Sequence, residues 1–164
     1  ATVLGLVVPT RLWSLKNIYQ KHGGLERVFT ADFNPESNHT KSAITGFREL
    51  FFELDHPDRT EKHVANPAKK ASAKRINMFL RWMVRCDNSG VDFGIWKSIM
   101  PSQLICPLDV HSAAVARNLA LLKRRINDWQ AAEELTERLK QYDPDDPAKY
   151  DFALFGLGIF EKLK

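Results

Sequence analysis

The sequence predicts an all-α fold, a compact multi-helix bundle of six to eight helices in a single domain over residues 1–164. Three observations carry that expectation. Apolar residues recur at three- and four-residue spacing along most of the chain. No segment alternates apolar and polar residues with a period of two, so no strand is predicted. Glycine, proline and Asp/Asn clusters fall between the periodic segments at helix-length intervals, and no repeat or low-complexity tract appears.

Each element follows from its own residues. Residues 9–22 place Leu12, Leu15, Ile18 and Tyr19 at helical spacing, Gly23-Gly24 stops that helix, and Leu25 opens a short second one. Residues 34–38 form a turn. A stronger helix follows over 40–54 with Ile44, Phe47, Leu50, Phe51 and Leu54 on one face. Gly46 inside it costs about 1 kcal/mol against alanine and points to close packing. A connection with two prolines, 55–71, leads to a helix over 72–86 capped by Ser72, with an apolar stripe of Ile76, Phe79, Leu80 and Met83. Lys74, Met78, Arg81 and Arg85 lie on another face, expected to be exposed. Asp87-Asn88-Ser89-Gly90 is a turn, and 91–96 leads to Pro101 and a short turn or helix at 102–105. Helices then run over 109–122 and 129–142, the latter capped by Asp128 or Asn127. Asp143-Pro144-Asp145-Asp146-Pro147 breaks the chain before a last helix from 148 to the end.

Composition narrows the function classes. The chain is long enough to bury a core, and 44% apolar with 27% charged residues is the balance of a soluble globular domain. Nothing approaches the roughly 18 consecutive apolar residues of a membrane span, and the short apolar stretch 1–8 lacks the basic leader of a signal peptide. Two cysteines, Cys86 and Cys106, give neither a disulfide framework nor metal-ligand spacing, so a cytoplasmic setting without metal or other cofactor is expected. Residues 62–85 hold seven basic residues and no acid, which leaves 17 basic against 20 acidic residues elsewhere. Such concentration on a mildly acidic body suits a polyanion, and equally a solvated helix face.

The anchor of the chain is Cys106-Pro107-Leu108-Asp109-Val110-His111-Ser112. Pro107 disfavours helical geometry at Cys106, and Asp109 stands where an N-cap carboxylate belongs. A cap alone would account for it. The pattern Pro107-Leu108-Asp109-Val110-His111, followed by a helix with Val115-Ala116-Arg117 and Leu119, resembles the Val-Asp-x-His segment of the helix-hairpin-helix DNA glycosylases. Two more blocks, in matching order, are similar to that superfamily. Ala73-Lys74-Arg75-Ile76-Asn77-Met78 resembles the start of the helix after the hairpin, and Tyr150-Asp151-Phe152-Ala153-Leu154-Phe155-Gly156-Leu157-Gly158 resembles its late helix. Residues 14–164 also resemble an uncharacterised bacterial family through the runs 74–83 and 149–158.

The resemblance implies a DNA repair glycosylase with accompanying AP lyase activity, excising a damaged base such as an oxidised purine from duplex DNA. Lys74 would be the nucleophile and Asp109 the carboxylate that stabilises the charge developing on the sugar. Lys69, Lys70, Ser72, Arg75, Arg81, Arg85 and His111 are the candidate DNA contacts. Trp82, Trp96 and Phe152 are candidates to stack on an everted base, although each also suits a core. A backbone-satisfied ring is the plainer expectation for His111. The chain departs from the superfamily where a Gly-x-Gly hairpin is expected, reading Lys69-Lys70-Ala71-Ser72-Ala73, and its N-terminal helices appear abridged before Trp13. Two other readings stay open: a non-catalytic DNA-binding module on the same fold, and a helical interaction protein.

Overall fold

The computed structural model describes residues 3–88 and 90–160, residues 3–10 by backbone alone. Ala1-Thr2, Ser89 of the expected turn and the last four residues of the expected C-terminal helix lie outside the described residues. The described residues are all-helical. They form α1 (Val3–Lys21), α2 (Leu25–Thr30), α3 (Lys41–Phe51), α4 (Lys74–Val84), α5 (Val110–Asn118), α6 (Trp129–Lys140) and α7 (Asp151–Phe160). Short 3-10 turns stand at Asp58–His63, Pro67–Lys69, Pro101–Gln103 and Pro147–Tyr150. Among these residues no strand forms, and one isolated bridge joins Cys86 to Phe93.

Two packed groups of helices share one core. In the first, α2 and α3 face each other, and Phe29 stacks on Phe47 with ring centroids 4.2 Å apart. Trp96 closes that cluster, 5.5 Å from Phe29 and 5.4 Å from Phe79 of α4. In the second, α5 lies on α7, close enough that a Cβ at Gly158 would fall 3.0 Å from His111 Cβ and 3.2 Å from the His111 carbonyl oxygen. A larger residue at 158 would push the two helices apart. Gly46 has no comparable reason, because a Cβ there would meet only Asp32 at an ordinary 3.5 Å.

Local chemistry explains most boundaries. Gly23 and Gly24, at φ +77° and +104°, end the first helical run in a conformation that L side chains rarely adopt. On α1, Ile18 is buried and Leu15 half-buried, whereas Leu12 and Tyr19 are exposed rather than packed. Asp128 accepts the Ala131 amide N–H at 3.0 Å and so caps α6. Ser72 does not cap α4. That helix follows Ala73, held left-handed at φ +50°, and the Ser72 carbonyl instead accepts the Asn77 side-chain amide at 3.0 Å. The helix α5 stops four residues before its expected end, where left-handed Ala120 lets the amides of Leu121 and Leu122 turn back to the Ala116 carbonyl.

Candidate active site

Two helix starts meet at one place on the surface. The chain enters α5 through extended, buried Cys106, Pro107 and Leu108, and the Cys106 amide is pinned to Thr136 Oγ1 of α6 at 3.0 Å. Asp109 is the N-cap of α5. Its Oδ1 accepts the Ser112 amide N–H at 2.8 Å and the Ser112 hydroxyl at 3.1 Å, while its own amide donates to Ser112 Oγ at 2.9 Å. That reciprocal pairing fixes the carboxyl rotamer. The second oxygen, Oδ2, is left for Lys74, the first residue of α4, whose Nζ donates to it at 2.9 Å.

The pair is graded in exposure: the Lys74 side chain is 38% exposed and the Asp109 side chain 13%. Burial works against ionisation of Asp109. The Ser112 amide and the Lys74 ammonium outweigh it and hold the carboxyl below the usual carboxylate range. The nearby Cys106 thiol is pushed well up by burial, which keeps it an inert core group rather than a nucleophile.

The turn before α4 carries the free charge. The Asn66 side chain accepts the Ala68 amide, and Lys70 adopts φ +67° to reverse the chain. Lys69, Lys70 and Arg75 are exposed, and Ser72 is half-buried. Lys70 and Ala73 thus take up, without glycine, the left-handed backbone that glycine normally supplies.

Arg81 and Arg85 are corrections to the sequence reading. The face of α4 that carries them is not exposed: Arg81 is 1% accessible and Arg85 6%. Arg81 donates to Asp151 at 2.8 Å and to Asp92 at 3.2 Å. Arg85 donates through Nε to Asp146 at 2.8 Å and also pairs with Asp92. Burial disfavours the Arg85 cation, but Asp146, Asp92 and Asp87 together make it hold its proton more tightly than usual. At Asp151 burial wins: the carboxyl lies above its usual range although Arg81 partly offsets the effect. Both arginines are therefore committed inside the protein, with no guanidinium left for a phosphate.

The aromatic candidates separate as clearly. Trp96 is buried in the aromatic core, so it offers no face to a base. Trp82 is half-buried, and its carbonyl accepts the Phe93 amide at 2.7 Å. Phe152 is 48% exposed, with the Arg81 guanidinium 3.9 Å over its ring. His111 is exposed on the first turn of α5, where its ring stands edge-on to Phe155, with centroids 6.2 Å apart, and no ring hydrogen bond to backbone forms among the described residues. No group of three or more His, Cys, Asp or Glu among the described residues could hold a metal.

Sequence reasoning did not find Ser112, Asp92, Asp146 or Asp151. Ser112 had a readable signal, since a serine three residues after a capping aspartate completes a reciprocal cap. The three aspartates had none, because Asp146 and Asp151 reach α4 from distant parts of the chain and Asp92 turns back onto it from the loop that follows.

A family model described as Protein of unknown function (DUF2400) matches residues 8–160. No curated protein and no solved structure matches the chain.

Proposed function

We propose that this protein, which belongs to the DUF2400 family, is a DNA repair glycosylase with accompanying AP lyase activity, built on the Lys74–Asp109 pair. The observation that carries the reading is the 2.9 Å contact between a half-exposed lysine amine and a fixed carboxylate, each at the start of its own helix. Thirty-five residues separate the two in sequence, and both stand at the positions that the glycosylase resemblance singles out.

The chemistry balances at these groups. Attack needs the Nζ lone pair, so the Lys74 ammonium must first lose one proton to solvent while Asp109 stays ionised. The lone pair then bonds to C1′ of the damaged nucleotide as the C1′–N bond breaks, and that electron pair leaves with the base, which takes up a proton. The ionised carboxylate stabilises the positive charge that builds on the sugar. Sugar opening gives an imine on Lys74, and loss of a C2′ proton expels the 3′ phosphate. Exposed Lys69, Lys70 and Arg75 supply phosphate contacts beside the site, and His111 and Phe152 stand exposed on the helices next to it.

Borohydride trapping tests the reading. A duplex carrying an oxidised purine is expected to yield a covalent adduct with the wild type and none with Lys74→Gln. Equal trapping by the two proteins overturns Lys74 as nucleophile. The absence of glycine at the turn favours a second reading, a non-catalytic DNA-binding module. That reading predicts salt-sensitive duplex binding with no adduct on the base-containing substrate.

A further inference from the structure

We propose that the loop joining α5 to α6, residues 119–128, is a second duplex-DNA contact that continues the phosphate track from the 66–73 turn. The inference rests on the DNA reading above and extends it to a surface outside the basic 62–85 segment.

Position is the first argument. The Trp129 amide, at the start of α6, donates to the Lys70 carbonyl at 2.9 Å. The end of the loop is thereby stapled to the turn that presents Lys69 and Lys70 to solvent. A strand lying along those lysines would meet the loop next.

Order is the second. Arg117 reaches across the loop and donates to the carbonyls of Arg124 and Arg125, each at 2.9 Å, and to the Asn127 side-chain oxygen. Left-handed Ala120 and the Asp128 cap fix the two ends. The backbone is set before any partner arrives, so little ordering entropy opposes binding.

Charge is the third. Residues 117–128 hold four basic residues, Arg117, Lys123, Arg124 and Arg125, against one acid, Asp128. Asp128 is engaged by Arg124 and by the α6 cap, and Glu134 accepts the Lys123 amide at 2.7 Å. Arg117 is satisfied by neutral oxygens, which leaves its charge uncancelled. Among the described residues no carboxylate pairs with exposed Arg125. Directly after Arg125, Ile126 stands 65% exposed. A rigid cationic edge with an apolar tip fits the phosphates and sugar faces of a duplex groove better than it fits water or an acidic peptide.

The test is equilibrium binding of the chain to a duplex bearing a tetrahydrofuran abasic analogue, measured over a salt series. Arg125→Ala is expected to flatten the plot of log affinity against log salt by about 0.9, the loss of one phosphate contact. Arg138→Ala removes one exposed cation from the last turn of α6, about 14 Å along that helix from the end of the loop. It is expected to leave the slope unchanged, and Ile126→Ala to weaken binding without changing the slope. The proposal is overturned if Arg125→Ala leaves the slope intact, or if Arg138→Ala flattens it equally, since charge would then act without position. Equal competition by an acidic polypeptide also overturns it, by pointing to a protein partner. The two readings fail separately: an Arg125-dependent slope without Lys74-dependent trapping keeps the loop contact and removes the glycosylase.

Discussion

Asp109 divides its two oxygens between two tasks. Oδ1 is taken by the amide and hydroxyl of Ser112, and Oδ2 faces Lys74. Removing the Ser112 hydroxyl leaves the Asp109 amide without an acceptor and loosens the carboxyl, whose Oδ1 then keeps only the backbone N–H of residue 112. Ser112→Ala is expected to cost about 1 kcal/mol in urea unfolding. Under the glycosylase reading the same change should slow base release with little effect on DNA affinity, read as a fall in single-turnover rate at unchanged Kd. The carboxyl also sets a pH signature. Its folded pKa lies below its ordinary value near 3.8, so its stabilisation is fully present above that value and is lost as pH falls through the lowered one. Stability measured from pH 5 down to pH 3 should therefore fall less steeply in Asp109→Asn than in the wild type. Asp109 was legible as a cap because its signals are local, the break at Pro107 and a capping position, whereas Lys74 was singled out by the resemblance alone. Arg81 and Arg85 were not legible as buried pairs. Their hydrogen-bonded carboxylates stand 7 to 70 positions away, outside α4, and nothing in a helical stripe tells a solvated cation from one buried against such an acid.

At the scale of the element, α4 and the turn before it show where local rules fail. The apolar stripe was readable: Leu80 is buried, and Ile76, Phe79 and Met83 pack against the core. The helix start was not, because the turn adopts left-handed backbone at Lys70 and Ala73 that no residue type there announces. An L residue in that conformation costs roughly 1–2 kcal/mol, part of which glycine recovers. Lys70→Gly is thus expected to raise unfolding stability by about 0.5–1 kcal/mol. Under the DNA reading it should also flatten the salt slope by about 0.9, since one exposed cation is lost. A more stable protein that binds DNA less salt-sensitively would separate the backbone role of this residue from its charge. On α6, Asp128 combines a cap with the Arg124 pair, and Arg124 draws its carboxyl down to about 2. Asp128→Ala should cost about 1 kcal/mol at neutral pH, with the cost shrinking as pH drops through that value.

Across the whole molecule, one face of α4 runs from the half-exposed Lys74 pair to a buried ion-pair network. Lys74 opens it, half-exposed and paired with the start of α5. Arg81 lies about two turns on, tied to Asp151 at the start of α7 and to Asp92 in the loop after α4, whose side chain is wholly buried. Arg85 ends the row, joined to Asp92 and to Asp146 before the 147–150 turn. These pairs clamp segments far apart in sequence onto one helix, and they hold the α7 start close enough for Lys74 and Asp109 to act electrostatically on Asp151. The two ends of the row should answer substitution differently. Arg81→Leu strands Asp151 and leaves Asp92 to Arg85 alone, and removing one partner from such a buried set costs about 3–5 kcal/mol. Lys74→Gln loses one partly solvated pair, worth less than about 1 kcal/mol. Urea midpoints should therefore collapse for Arg81→Leu and barely move for Lys74→Gln, and added NaCl should not rescue the former because its charges lie beyond the reach of screening ions. A loss for Lys74→Gln as large as for Arg81→Leu would make Lys74 another structural clamp. A small one leaves a half-exposed lysine, aligned on a fixed carboxylate, that the fold does not require, as the proposed role of its amine demands.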